Sequence, residues 1–260
     1  MMRSLWTAAS GMVAQQLNID TISNNLANVN TTAFKKSRAE FEDLMYQTLK
    51  IAGGRNQSGN QQPTGLQVGM GVSPTTVHKF FKQGDFQNTG NPLDIAIQGD
   101  GFFQVEVNGE LAYTRAGNFK LNQDGMLVTS KGYALQPAFN VPPETESIVV
   151  SSDGHISALD QNGQELAGAD IPVYTFINSA GLNSQGGNLY LETEASGPPQ
   201  QEVPGTNNAG ELVQGFLEKS NVELVEEMVN MIIAQRAFES NSKAVTTSDQ
   251  MLQAANRLVR

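Results

Sequence analysis

The chain reads as an α+β protein in which two long terminal helices, paired in coiled-coil fashion, flank a central antiparallel β-rich domain. Apolar residues recur every seven positions at both ends, and short strand-like runs separated by Asx-Gly turns fill the middle. A length of 260 residues is enough for one large domain or two small ones with a real core.

The amino-terminal helix is expected over 1–33. Steps of seven from Leu5 reach Met12, Ile19 and Leu26, and a companion row three residues on reads Ala8, Gln15, Ile22 and Val29. Arg3 and Asp20 are the only charged side chains up to Phe34, and Gln16, Asn18, Ser23, Asn24 and Asn28 occupy the remaining faces. Exposed helices carry more charge, so an amide-rich helix is expected to meet other protein on most of its faces. Arg3 followed by Leu5, Trp6, Ala8 and Ala9 also has some look of a secretory signal. The heptad pattern runs on well past any cleavage point, which favours a terminus that is kept.

The carboxy-terminal helix, within a region assigned to 216–260, has the strongest periodicity: Leu224, Met231, Phe238, Val245, Leu252 and Val259 follow one another at steps of seven. Ser220 and Glu223 have capping-box spacing, Glu226 and Glu227 suit a first turn, and Arg257 and Arg260 suit a last. A helix from Asn221 to about Leu258 would be about 55 Å long. Its narrow seam, with polar Gln235, Ser242, Asp249 and Asn256 four residues on from the seam positions, suits a coiled coil; the alternative is a long helix lying along the protein's own core.

The β domain is expected over 71–215. Strands are predicted at Leu93–Gln98, Gly101–Val107, Leu111–Thr114, Met126–Thr129, Ser147–Val150, Ile171–Phe176 and Asn188–Leu191, with turns at Asn108-Gly109, Asp124-Gly125, Asp153-Gly154 and Asn162-Gly163. A connecting segment covers 34–70, and within it 47–65, rich in Gln, Gly and Asn, reads as a flexible or partner-ordered loop. Ser196–Gly210, with its three prolines, reads as a linker into the final helix.

The chemistry of an enzyme is hard to find. The net charge of -10, with only 16 Lys and Arg, opposes nucleic-acid binding, and no apolar run is long enough for membrane insertion. Cysteine is absent, which removes disulfides and thiolate sites and suits a chain that crosses an oxidising compartment. His78 and His155 lie in no motif, and His155, following a turn, is expected at the surface. The Asx-Gly turns fail the EF-hand pattern, because Lys120, Val149 and Ala158 stand where an oxygen ligand is needed, so no metal or other cofactor is expected. Gly69-Met70-Gly71 and Gly99-Asp100-Gly101 do not continue into phosphate loops. A β-rich hydrolase is therefore a weaker reading than a structural protein or a secreted filament or adhesin.

The stretch Asn25-Leu26-Ala27-Asn28-Val29-Asn30-Thr31-Thr32-Ala33-Phe34-Lys35 resembles the signature of the bacterial flagellar rod and hook protein family. Asn25, Leu26, Asn28, Asn30, Thr32 and Phe34 carry the match, and Ala33 stands where the family usually has Gly. Further similarity runs through Glu40–Gln47, Gly99–Phe103, Tyr113–Phe119, Gly181–Tyr190 and Ser220–Val245. Length and the Glu40–Gln47 segment place it nearest the distal-rod members, with proximal rod or hook subunits as alternatives. The resemblance implies a self-assembling helical tube that encloses an export channel, transmits torque through the periplasm, and meets other rod and hook subunits and the surrounding basal-body rings. It also implies delivery of an uncleaved chain by the flagellar export apparatus. The seam residues Leu5, Met12, Ile19, Leu26, Leu224, Met231, Phe238, Val245, Leu252 and Val259 are the expected assembly interface.

Overall fold

The computed structural model describes residues 2–51, 64–207 and 209–258. The chain divides into two compact units, the first from Met1–Ala27, Ser37–His78 and Glu223–Arg260, the second from Asn28–Lys36 and Lys79–Val222. It changes unit after residues 27, 36, 78 and 222, whereas the sequence suggested borders after 33, 70 and 215. The signature stretch is thereby split, all of it from Asn28 onward belonging to the β-rich unit.

In the first unit, helix α1 (Met2–Ala27) is followed by β1 (Ser37–Asp43), β2 (Tyr46–Lys50), β3 (Leu66–Gly69) and β4 (Val72–Lys79). Strand β1 pairs with β4, and β2 pairs antiparallel with β3. Residues 47–50 are thus strand rather than loop. Every residue of β2 is exposed, so it lacks the one-sided apolar alternation by which strands are recognised. Of the rest of the expected 47–65 loop, 52–63 lies outside the described residues.

Helix α2 (Leu224–Leu258) completes this unit. It starts three residues later than the capping-box reading placed it, because the Ser220 hydroxyl accepts the Val222 N–H at 3.3 Å and closes a local turn first. Glu226 and Glu227 in the first turn and Arg257 in the last oppose the helix dipole favourably.

The second unit is built from short antiparallel strands: β5 (Phe86–Asn88), β6 (Ile95–Gln98), β7 (Phe103–Val107), β8 (Glu110–Thr114), β9 (Lys120–Leu121), β10 (Leu127–Val128), β11 (Ala134–Gln136) and β12 (Ser147–Val150). After them come β13 (His155–Leu159), β14 (Glu165–Asp170), β15 (Val173–Thr175), β16 (Asn183–Gly186), β17 (Leu189–Leu191), β18 (Gln200–Glu202), β19 (Glu211–Gln214) and β20 (Phe216–Glu218). The largest sheet runs β16-β17-β8-β7-β11-β10-β9, and a second runs β12-β13-β14. All four Asx-Gly turns join neighbouring strands, as β7–β8, β9–β10, β12–β13 and β13–β14, and each glycine has positive φ. The supposed 196–210 linker contains a strand, since β18 pairs with β15.

Two apolar clusters hold this unit together. Ile95, Ile97, Phe103, Phe119 and Ile156 are among the fully buried residues of the first. The second is aromatic, with Phe176 edge-on to Tyr113 at 4.9 Å and to Phe102 at 5.7 Å. Such edge-to-face pairs add about 0.5–1.5 kcal/mol beyond burial. Gly117 is required where it stands, because a Cβ there would collide with the Ile95 carbonyl oxygen.

Candidate assembly interface and its anchoring cluster

Helices α1 and α2 pack against each other within the first unit. Their buried positions are Ala8, Ala14, Thr21, Ile22 and Asn25 on α1 and Glu227, Ala234 and Ser248 on α2. The approach is close: a Cβ at Gly11 would lie 2.8 Å from the Asn241 amide nitrogen. Glu227, Ala234, Asn241, Ser248 and Ala255 form a heptad row of their own, three residues on from the apolar seam. Small and polar side chains occupy that row because only they let the backbones approach.

The expected interface residues therefore do not sit on the line of closest approach. Leu5, Met12, Ile19, Leu26, Met231, Phe238, Val245 and Leu252 are half-buried along its flanks, Leu224 is exposed, and Val259 lies outside the described residues. What the seam reading missed is a second apolar stripe. Val225, Val229, Ile232 and Ile233 follow helical spacing on α2 and are all at least half exposed, Val225 reaching 73%. Trp6 and Val13 are likewise exposed on α1. The spacing was readable in the sequence, but a wide apolar helix looks the same whether one stripe or both are covered.

The signature residues have definite tasks. Asn25, 1% exposed, donates to the Ser37 carbonyl at 2.7 Å and to Glu227 Oε2 at 3.0 Å while accepting the Ser37 N–H at 2.9 Å. It thereby ties both helices to the start of β1. In the second unit, Asn28 Oδ1 accepts the Thr31 hydroxyl at 3.1 Å, the Thr32 carbonyl accepts Asn188 at 2.8 Å, and the Phe34 carbonyl accepts the Asn221 N–H at 3.3 Å. Asn30 is exposed, and Phe34 and Leu26 are half-buried. Ala33 adopts φ 56° in the left-handed region, with its N–H on the Glu218 carbonyl at 2.8 Å. A Cβ is strained in that region, which suits the glycine usual in the family at this position.

The chief electrostatic feature was not anticipated. Glu218 on β20 is wholly buried and receives Lys35 Nζ on Oε1 at 2.7 Å and Arg115 Nε on Oε2 at 2.6 Å. The Gly84 N–H adds a third donor at 2.9 Å. Lys35 also donates to the Lys82 carbonyl at 2.8 Å, and Arg115 to the carbonyls of Gly101, at 3.1 Å, and Gly99. Two cations share one carboxylate. Burial pushes the Lys35 amine down to about 8, helped by the Arg115 guanidinium and opposed by Glu218. Positive φ at Gly99 and Gly101, 119° and 138°, turns the carbonyls that Arg115 needs. Lys35, Gly99–Phe103 and Tyr113–Phe119 all belong to stretches singled out in the sequence, and here they meet at one site.

His155 opens β13 and is partly exposed, with Nδ1 2.6 Å from Asp170 and Nε2 3.2 Å from Glu165. Hydrogen bonds to Asp170 first and Glu165 second raise its pKa. Among the described residues no group of three His, Cys, Asp or Glu side chains is placed to hold a metal, and no helix is long and apolar enough to cross a membrane.

One unit carries a helix pair with exposed apolar residues and the other a buried ion-pair cluster built from the signature stretches, and comparison with known proteins gives the class of protein these belong to. Residues 5–35 match the model "Flagella basal body rod protein", 96–158 the "Flagellar hook protein FlgE/F/G D1 domain", and 213–258 the "Flagellar basal body rod FlgEFG protein C-terminal". A flagellar basal-body rod protein FlgG of Borreliella burgdorferi is 50% identical over 264 residues, covering 100% of both chains. The FlgG of Buchnera aphidicola subsp. Schizaphis graminum is 48% identical over 99% of this chain and 100% of its own. The flagellar hook-basal body complex protein FlhP of Bacillus subtilis is 32% identical over 97% of each chain. The chain belongs to the FlgG family of flagellar basal-body rod proteins, structural and non-enzymatic components of the distal rod.

Proposed function

We propose that copies of this chain polymerise through α1 and α2, in coiled-coil fashion, into a rigid helical tube that encloses the export channel and transmits torque. The observation that carries this is the exposed stripe Val225, Val229, Ile232 and Ile233. Each such side chain gains about 1.5–3 kcal/mol on full burial, so a surface repeated in every subunit strongly favours contact with its like. The seam residues contribute at the flanks of that contact, from Leu5, Met12, Ile19 and Leu26 on α1 and from Leu224 to Val259 on α2. Neighbours along the tube are other rod and hook subunits, with basal-body ring proteins outside, and the flagellar export apparatus delivers the chain to the periplasmic rod. Tyr46 and Leu49 of β2 and Leu66 of β3 are exposed apolar residues that adjacent subunits would cover.

Ile232→Asp tests the reading. Ile232 is 55% exposed, so the carboxylate stays in water in the monomer but must be desolvated in a filament. Negative-stain microscopy should show no filaments, and calorimetry an unchanged monomer transition. Phe238→Asp, at a half-buried position, should block assembly and also lower the monomer transition, while Glu239→Gln should assemble normally. Wild-type filament yield from Ile232→Asp would overturn the proposal.

A further inference from the structure

Asn221 sits where three separate passages of the chain leave the second unit. The chain departs after Lys36, returns at Lys79 and departs again after Val222. The Asn221 side chain bonds to the first two of these roots: Oδ1 accepts the Lys36 N–H at 2.7 Å, and Nδ2 donates to the Phe80 carbonyl and the Lys82 carbonyl, both at 2.9 Å. Its own backbone N–H donates to the Phe34 carbonyl at 3.3 Å, so the third root is bound as well. One amide thus uses both of its N–H groups and its oxygen on three backbone groups from two distant segments. The roots touch each other too, with the Phe80 N–H on the Lys36 carbonyl at 2.9 Å. Lys35 meets the same Lys82 carbonyl at 2.8 Å, which links this arrangement to the Glu218 cluster.

We propose that Asn221 is a positioning residue, a latch that holds the three roots in one fixed register, so that force carried by the passages reaches the β body through backbone rather than through mobile side chains. The second half of that statement rests on the rod-subunit reading; the first does not. The residue type is demanded by the geometry. Serine is too short and offers one donor, and glutamine is a methylene too long for three simultaneous bonds. Aspartate has the right shape and the wrong chemistry, because it keeps the acceptor for Lys36 but turns a lone-pair-bearing oxygen toward two carbonyl oxygens. The repulsion between oxygens in this part-buried site should release the roots, even though the Lys82 carbonyl keeps Lys35.

The test is Asn221→Asp, measured by amide hydrogen exchange on the full chain against wild type at the same pH. At pH 7 the protection factors of the Lys36, Phe80 and residue 221 amides should fall at least ~10-fold while those of the β7–β8 ladder stay unchanged. At pH 4, where the carboxyl recovers a proton to donate, part of that protection should return, a response that loss of packing would not give. Unchanged root protection at pH 7, a fall shared by the β7–β8 ladder, or no recovery at pH 4 would each overturn the latch. Filaments of the variant should be curved or fragile by electron microscopy. Straight, wild-type-like filaments with released roots would overturn the force-path half alone. Failure of the wild-type chain to form filaments would count against the rod reading and leave the latch to be decided by protection.

Discussion

Glu218→Gln and Lys35→Met should have very unequal consequences although they break the same ion pair. Glutamine at 218 keeps the shape but removes the carboxylate bonded to two cations that are 0% and 2% exposed. Breaking a buried pair from one side costs about 3–5 kcal/mol because the remaining charge is left uncompensated. Lys35 can limit its share by releasing its proton. Holding a lysine neutral at pH 7 costs about 5 kcal/mol against an unfolded value of 10.5, and a folded value of about 8 means about 3 of that is already spent in the wild type. Arg115 has no such escape, since a guanidinium does not deprotonate in proteins, and it carries most of the loss. In Lys35→Met, by contrast, Glu218 keeps Arg115 and Gly84, and the Lys82 carbonyl keeps Asn221. Its stability should stay within about 1 kcal/mol of wild type at pH 7.

Urea unfolding followed by a probe of the β-rich unit measures both variants. The sign of the pH dependence gives an independent check. The folded pKa of Lys35 lies below its unfolded value, so the unfolded chain binds more protons between about pH 8 and 10.5, and the contribution of Lys35 makes stability rise with pH in that window. That rise should vanish in Lys35→Met. Equal destabilisation by the two substitutions, or a Lys35→Met profile that still climbs above pH 8, would refute the two-cations-on-one-carboxylate reasoning.

His155 should titrate above 6.5 by NMR, and Asp170→Asn should lower its pKa more than Glu165→Gln does; its contribution to stability is fully present below pH 6.5 and disappears as pH rises through the raised value. Ala33→Gly should leave the melting temperature nearly unchanged, because relief at φ 56° is offset by a lost buried methyl and added unfolded-state entropy, whereas Ala33→Val should cost about 2 kcal/mol or more by calorimetry.

The hairpins were legible because an Asx-Gly pair announces a positive-φ turn by itself, and β7, β8 and β12 followed from alternation beside such turns. β2, β5 and β16 were not, since all their residues are exposed and nothing in their pattern separates them from loop. The helices were legible as periodic, but which row lies innermost depends on backbone approach, which Gly11 and Ala234 permit and which apolar counting cannot weigh. The Glu218 cluster was hidden for a different reason. A buried lysine, arginine or glutamate is written with the same letter as a solvated one, and these three stand at positions 35, 115 and 218, too far apart for spacing to connect them.

The signature stretches have a shared physical cause. Asn25 ends α1 on β1 and α2; Thr32, Ala33, Phe34 and Lys35 then fasten the next stretch to Asn188, Glu218, Asn221 and Lys82. Arg115 needs two glycine carbonyls, and its neighbour Gly117 must admit the Ile95 backbone. Each stretch looks like a local motif only because several of its residues bind the same few distant partners. Changing one side of such a contact leaves buried donors or charges unmatched on the other, which costs more than losing a surface contact. The described residues leave Val225, Val229, Ile232 and Ile233 on α2 at least half exposed, and burying them is the task that the proposed assembly would give to a second copy.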